Sequence, residues 1–189
     1  MKLNVKSGLI TSATFCASPN FDERPLDHEI DLLVIHGISL PPKVFAGDAV
    51  QKFFCNRLDA AEHPYFQQIA HLKVSSHFYI RRDGALWQFV PVTKRAWHAG
   101  GSSFMGRDNC NHYSIGIELE GEDNIAYTTL QYDKLAQLTY VMMQHFPKIT
   151  LDRLVGHSDI APHRKTDPGP AFDWTHYKQL VRDLLSAEN

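Results

Sequence analysis

Five residues of this chain have the types and spacing that metal-assisted hydrolysis demands: His36, Glu118, His157, Lys165 and Asp167. Two apolar runs, "LLVIHG" and "RLVGH", each deliver a histidine where the chain leaves a strand. Side chains at strand ends are held firmly yet reach into clefts. Either histidine alone also reads as an ordinary polar strand end. Asp167 follows His157 by ten residues in "VGHSDIAPHRKTDPGP", a segment that also holds Pro162, Pro168 and Pro170. Fixed φ angles lower the entropy lost when such a loop is ordered. Two imidazoles and one carboxylate make an N, N, O set that suits a catalytic zinc ion and leaves a fourth position for water. Asp167 equally fits a turn before Pro168 or an ion pair with Arg164, and spacing leaves these readings open.

A hydrolase built on zinc needs a base for its water and a cation for its oxyanion. The run "SIGIELEG" sets Ile115, Ile117 and Leu119 on one face, with Gly116, Glu118 and Glu120 on the other. Both glutamates are candidate bases by pattern, and one of them reads as a solvent-facing strand residue. Lys165 is the candidate cation, with an ordinary surface lysine as its other reading. The loop 95–113, which carries Trp97 and His98, is rich in Gly, Ser and Asn, and its length marks it as a candidate functional loop.

These residues need a frame. "DLLVIHG" reads as a buried strand, and "VSSHFYIRRDGALWQFV" as a hairpin around Asp83-Gly84. Short helices are predicted over 48–58 behind Asp48 and over 63–72 behind Pro64. The clearest helix covers 128–146, where Thr128 and Gln131 fit a capping box and Leu135, Leu138 and Met142 form a stripe. A strand over 149–157 and a helix over 173–185 complete the order. The reading is a single α/β (α+β) domain over 25–189, with a central mixed β-sheet flanked by helices and the zinc cleft at one face. Residues 1–24 read as an irregular N-terminal extension.

Bulk properties narrow the class. The 189 residues are 43% hydrophobic and 21% charged, ample for a core, with a formal net charge of −2. No basic run supports nucleic-acid binding, and no stretch supports a membrane span. Cys16, Cys55 and Cys110 are an odd, unpatterned set, so reduced thiols, a cytoplasmic location and a monomer are expected.

The segments "IHGISLPP", "HPYF", "IRRDGALWQFVP", "RAWHAGGSSFMGRDNCNHYSIGIELEG" and "GHSDIAPHRKTDPGPAFDW" together resemble the AmpD-type amidases. These are cytoplasmic 1,6-anhydro-N-acetylmuramyl-L-alanine amidases. They are a branch of the zinc amidase group that includes phage lysozyme-type amidases and peptidoglycan recognition proteins. The resemblance spans roughly residues 25–185. It implies one Zn²⁺ held by His36, His157 and Asp167, with Glu118 as general base in preference to Glu120. It implies Lys165 at the oxyanion and Tyr65 near the metal. The implied substrate is an anhydro-muropeptide, cut between the lactyl group and L-Ala in cell-wall recycling. For such a substrate Trp97 and His98 are candidates to cover the sugar and the peptide start, or else anchors of their loop, and Lys73 and Arg107 are candidate partners for the peptide carboxylates. That activity limits muropeptide-signalled β-lactamase induction. Three positions depart from the pattern: Gly37 stands where relatives often have Asn, Lys73 where they have Arg, and His163 where they have Gly or an acid. Gly37 implies a lost hydrogen bond beside His36, and His163 implies a weak competitor for metal. Rival readings are a non-catalytic muropeptide-binding module, a Cys–His hydrolase using Cys55 or Cys110, and a periplasmic amidase on intact murein.

Overall fold

The computed structural model describes residues 1–187, so Glu188 and Asn189, the end of the expected domain, lie outside the described residues. A six-stranded mixed sheet forms the frame. Its strands are β3 (Thr14–Phe15), β5 (Leu32–Ile38), β6 (Phe78–Ile80), β7 (Leu86–Gln88), β11 (Ser114–Glu120) and β12 (Leu154–Gly156). They lie in the order β12-β5-β11-β6-β7-β3. All neighbours run parallel except β6 and β7, which form the hairpin expected around Gly84, whose φ is +81°.

Period-two alternation assigns the faces. Leu33 and Ile35 of β5 and Ile115, Ile117 and Leu119 of β11 share one core. Helices α3 (Thr129–His145) and α5 (Trp174–Ser186) cover that side through Leu135, Leu138, Met142, Tyr177 and Val181. The α3 capping box forms as predicted: Gln131 N–H donates to Thr128 Oγ1, and Thr128 N–H to Gln131 Oε1. The other face carries Leu32, Val34 and His36 from β5 and Gly116, Glu118 and Glu120 from β11. Short helices α1 (Ala49–Phe54) and α2 (Pro64–Ile69) pack there through Phe53, Phe54 and Phe66. The predicted strand over 149–157 is confined to β12, and His157 opens a one-turn helix, α4 (His157–Ile160).

The first 24 residues depart from the irregular extension read from the sequence. Strands β1 (Leu3–Asn4) and β2 (Leu9–Ile10) form a hairpin whose Ile10 joins the core. Strand β3 closes the main sheet, and β4 (Phe21–Asp22) pairs with β8 (Arg95–Ala96). Arg24 lies inside the body, donating to the carbonyls of Val92, Asn111, His112 and Ser114. A boundary at 24/25 therefore cuts through a stitched network. Two-residue strands carry too little periodicity to be read locally, and the partners of β3 and β4 lie far along the chain, Thr14 against Trp87 and Phe21 against Ala96.

His77 explains how this network holds neutral polar groups. Its Nδ1 accepts the Gly116 N–H at 3.0 Å, so Nε2 carries the proton and donates to the Lys94 carbonyl at 3.0 Å. Burial, and then the charge of Arg24, press its pKa from 6.5 down to about 3. A group depressed in the folded state costs stability as pH falls below its unfolded value. Between pH 7 and pH 5, His77 alone should remove about 2 kcal/mol. Urea unfolding of the wild type and His77→Gln at both pH values measures this, with a shallower pH slope expected in the variant.

Candidate metal centre and active site

Parallel pairing sets His36 of β5 beside Glu118 of β11 in register, with Tyr79 of β6 on the other flank of Glu118. Because all three positions share a face, His36 and Glu118 meet in one cleft of about 490 Å³. His157 arrives from the neighbouring end of β12, and the loop that follows returns Asp167 beside it. The Ser158 N–H donates to the Asp167 carbonyl at 3.0 Å, which ties the start of α4 to that loop. Asp159 closes the turn by accepting the Gly156 N–H at 2.7 Å.

Three donor atoms converge. His36 Nδ1 lies 3.0 Å from His157 Nδ1 and 3.2 Å from Asp167 Oδ2, and His157 Nδ1 lies 3.1 Å from the same oxygen. Ligands about 2.0–2.1 Å from a tetrahedral zinc would be separated by about 3.3 Å, so the triangle has the dimensions of one face of such a site. Its protonation also calls for a cation. Ser114 Oγ donates to the Cys110 carbonyl at 2.6 Å, which leaves it to accept from His98 Nε2 at 3.2 Å. His98 Nδ1 then accepts the His36 Nε2–H at 3.0 Å. In that tautomer His36 presents a lone pair to a carboxylate oxygen and a second imidazole. A proton on His157 Nδ1 would give this cluster a single shared hydrogen, whereas a divalent cation takes a lone pair from each of the three atoms. His36, His157 and Asp167 are the cluster of metal-ligating type found among the described residues.

Electrostatics favour that donor set at Asp167 and His157; at His36 burial, which lowers the pKa, is outweighed by the Glu118 and Asp167 carboxylates, which raise it. Burial alone would raise the Asp167 carboxyl, but its contacts with His157 and His36 outweigh it and hold it well below the carboxylate range. Burial pushes His157 down to about 4 and keeps it neutral, as a ligand must be. His98 is pressed well below its ordinary value by burial and then by His36, which keeps it in the neutral form that the relay requires. Burial raises Glu118 to about 7, with the His36 charge opposing.

The two glutamates of β11 differ in partners. Glu120 is 4% exposed and accepts the Ala46 N–H at 2.7 Å and the Arg82 N–H at 3.0 Å. It straps the loop 39–47 to the β6–β7 turn. Glu118 lines the open cleft with Lys165, Tyr65 and Trp97. Lys165 sits at half-buried depth on the proline loop, and Tyr65 on the first turn of α2.

Other expected site residues fall elsewhere. Arg107 pairs with Asp31 at 2.9 and 2.7 Å and stacks 3.9 Å over Tyr113, away from the cleft. Asp31 is nearly buried and takes a second pair from Arg153 at 3.0 Å, so it needs these counter-charges. Lys73 is exposed and outside the cleft lining, although its neighbours Leu72 and Val74 belong to it. His98 borders the cleft but is spent on His36 and Ser114. His163 is exposed, lines the adjoining cavity with Trp97 and Arg164, and is no member of the metal cluster. Arg164 does not pair with Asp167; it donates to the Gly100 and Gly101 carbonyls and pins the two loops together. Cys110 is buried against the Tyr113 hydroxyl, and Cys55 lies against Cys16, so neither has an imidazole partner.

Two glycines are explained by close approach. A Cβ at Gly116 would come within 2.5 Å of the His98 ring. The signal was an isolated glycine inside a strand. Replacing His98 by alanine removes the partner that orients His36. Metal affinity should fall by roughly 10–100-fold, measured by competition with a chromophoric chelator. Gly37 is the second case. A Cβ there would lie 2.5 Å from the Tyr127 hydroxyl, which donates to the Pro168 carbonyl at 2.9 Å, next to Asp167. The departure at residue 37 thus makes room for a strap on the ligand loop. Gly37→Ala should weaken metal binding by about tenfold or more by displacing that loop. Adding Tyr127→Phe, which removes the clashing oxygen, should restore part of it; a double variant no tighter than the single would refute the account.

Comparisons with known proteins identify the family. Residues 26–170 match the N-acetylmuramoyl-L-alanine amidase family model. The 1,6-anhydro-N-acetylmuramyl-L-alanine amidase AmpD of Salmonella typhimurium is 51% identical over 174 residues, 92% of each chain. Its Escherichia coli counterpart is 50% identical over 177 residues, covering 94% of this chain and 96% of that one. A crystal structure of an AmpD derivative superposes with TM-score 0.92 at 50% identity, over 96% of this chain and 99% of the other. A complex of the Escherichia coli amidase AmiD with anhydro-N-acetylmuramic acid-L-Ala-D-gamma-Glu-L-Lys aligns with TM-score 0.59 at 26% identity, over 85% and 65% of the two chains. With strand-borne His36 and Glu118 facing His157 and Asp167 across one cleft, and homology over nearly its full length, this chain belongs to the N-acetylmuramoyl-L-alanine amidase family.

Proposed function

We propose that this chain is a zinc amidase that hydrolyses the bond between the lactyl group of 1,6-anhydro-N-acetylmuramic acid and L-Ala of the stem peptide. The observation that carries the reading is the triangle of His36, His157 and Asp167 donor atoms beside Glu118. The substrate named by relatives about half identical to this chain supports the choice of bond. An N, N, O set of this size favours zinc over harder cations that prefer all-oxygen shells.

Bound there, zinc supplies Lewis-acid chemistry, acidifying a water and polarising the carbonyl. The protein groups do the rest. Glu118 takes the proton of the attacking water, and its burial keeps that proton available. Lys165 turns an ammonium toward the oxyanion of the tetrahedral intermediate, a contribution typically on the order of 10²–10³ in rate. Glu118 then returns the proton to the departing L-Ala nitrogen. Tyr65 and Trp97 wall the cleft where the sugar and the first peptide unit lie. No covalent intermediate is required.

In the cell this reaction would recycle wall fragments in the cytoplasm, by a monomer that needs neither nucleic acid nor membrane. It would keep muropeptide-signalled β-lactamase induction low where that circuit exists. Among the described residues no helix is long and apolar enough to cross a membrane. The test is incubation with anhydro-muramyl tripeptide, with and without a chelator, followed by mass spectrometry. Free tripeptide is expected only from the metal-loaded protein; release at full rate after chelation would overturn the proposal.

A further inference from the structure

Two cysteines that the amidase chemistry does not use lie side by side. Cys16 follows β3 and Cys55 caps the C-terminus of α1, 39 residues later, with their sulfurs 3.2 Å apart. Both backbones are fixed: the Cys16 N–H donates to the Gln88 carbonyl at 2.9 Å and the Cys55 N–H to that of Gln51 at 3.1 Å. The thiol pair is therefore a consequence of the sheet edge meeting the helix end. Arg57 reaches Cys16 Sγ with Nη2 at 3.5 Å, a cation set directly against that sulfur. Cys16 also lines a surface cavity of about 560 Å³ with Lys52, Arg57, Arg81 and Trp87, separate from the metal cleft. Its charged lining sets Lys52, Arg57 and Arg81 against one carboxylate, Asp48, which pairs with Lys52 at 3.2 Å, and the remaining positive excess admits a small anionic reagent.

We propose that Cys16 and Cys55 form a redox-active dithiol that reacts with anionic low-molecular-weight disulfides through this cavity. Cys16 thiolate attacks one sulfur of the small disulfide, forming a mixed disulfide and releasing one small thiolate. Cys55 then attacks the Cys16 sulfur, forming the Cys16–Cys55 bond and releasing the second. Two protein thiols are oxidised, one disulfide is reduced to two thiols, and the two protons pass to the leaving thiolates. Cys55 is the resolving partner because burial, reinforced by Cys16, pushes its pKa up to about 11, which suits it poorly for first attack. The product staples the N-terminal segment to α1, whose Phe53 and Phe54 line the catalytic cleft.

The test treats the full-length protein with glutathione disulfide, quenches it with acid and maps its peptides by mass spectrometry. A linked Cys16–Cys55 peptide, two hydrogens lighter, is expected, with Cys110 left free because it is buried. The melting temperature should rise by roughly 5–10 °C and return on reduction, since the bridge closes a long loop. Cys55→Ser should accumulate a stable glutathione adduct on Cys16. Persistent adducts on both cysteines of the wild type, a bridge to Cys110, or no reaction would each overturn the proposal. None of these readouts depends on amidase activity.

Discussion

Asp167→Ala should leave a folded protein that holds less than about one-tenth of an ion per chain after dialysis and shows no measurable amidase activity. Asp167 supplies the only anionic donor of the proposed ligand triangle, at 3.2 and 3.1 Å from the two imidazole nitrogens. Without it, two neutral histidines face a dication with no charge compensation. Losing an outer-shell partner costs roughly 10–100-fold in metal affinity, and losing a ligand should exceed that. The fold survives because the loop is held by main-chain groups that the substitution leaves intact. The Asp167 carbonyl still accepts from Ser158, and the Tyr127 hydroxyl still holds Pro168. Metal content by elemental analysis, thermal melting and tripeptide release form the measurement. A variant that keeps a full equivalent of zinc, or full activity without it, would remove Asp167 from the site.

What the sequence disclosed follows from the range of each interaction. Alternation in "SIGIELEG" is local, so it set Glu118 on the face opposite Ile115, Ile117 and Leu119, whereas "LLVIHG" is apolar until His36 and disclosed a buried strand without its faces. Their register, Glu118 beside His36, needed the sheet order β5-β11. The capping box at Thr128 and the turn at Gly84 were legible because each closes within a few residues. The N-terminal strands were hidden, since β3 and β4 are defined by partners near residues 87 and 95. Pattern could not separate Glu118 from Glu120, because both face the same way; only the amides of Ala46 and Arg82 assign Glu120 its strap. Arg107 looked available for substrate because its partner, Asp31, is 76 residues away. His98 looked like a substrate contact because its role runs through Ser114 and the Cys110 carbonyl. Gly37 looked like a deficit until Tyr127, 90 residues on, gave the missing side chain a clash.

Glu118→Gln should lower kcat by roughly 10²–10⁴-fold, the range of a lost general acid–base, with zinc stoichiometry and melting temperature close to wild type. Glutamine keeps the shape and one oxygen but can neither take the water proton nor return it to nitrogen. An interaction made only in the transition state lowers kcat and kcat/KM together and leaves KM near its original value. Glu120→Gln is the matched contrast on the same strand face. Its carboxylate accepts two main-chain N–H groups; the glutamine oxygen can keep one of them, but the amide nitrogen is a donor and cannot accept the other. That variant should lose about 1–3 kcal/mol of stability, the cost of a buried donor left unpaired, while kcat falls by only a few-fold. Steady-state kinetics on anhydro-muramyl tripeptide and urea unfolding separate the two outcomes. If Glu118→Gln retained its turnover, or if Glu120→Gln lost turnover without losing stability, the roles assigned to the two glutamates would be reversed.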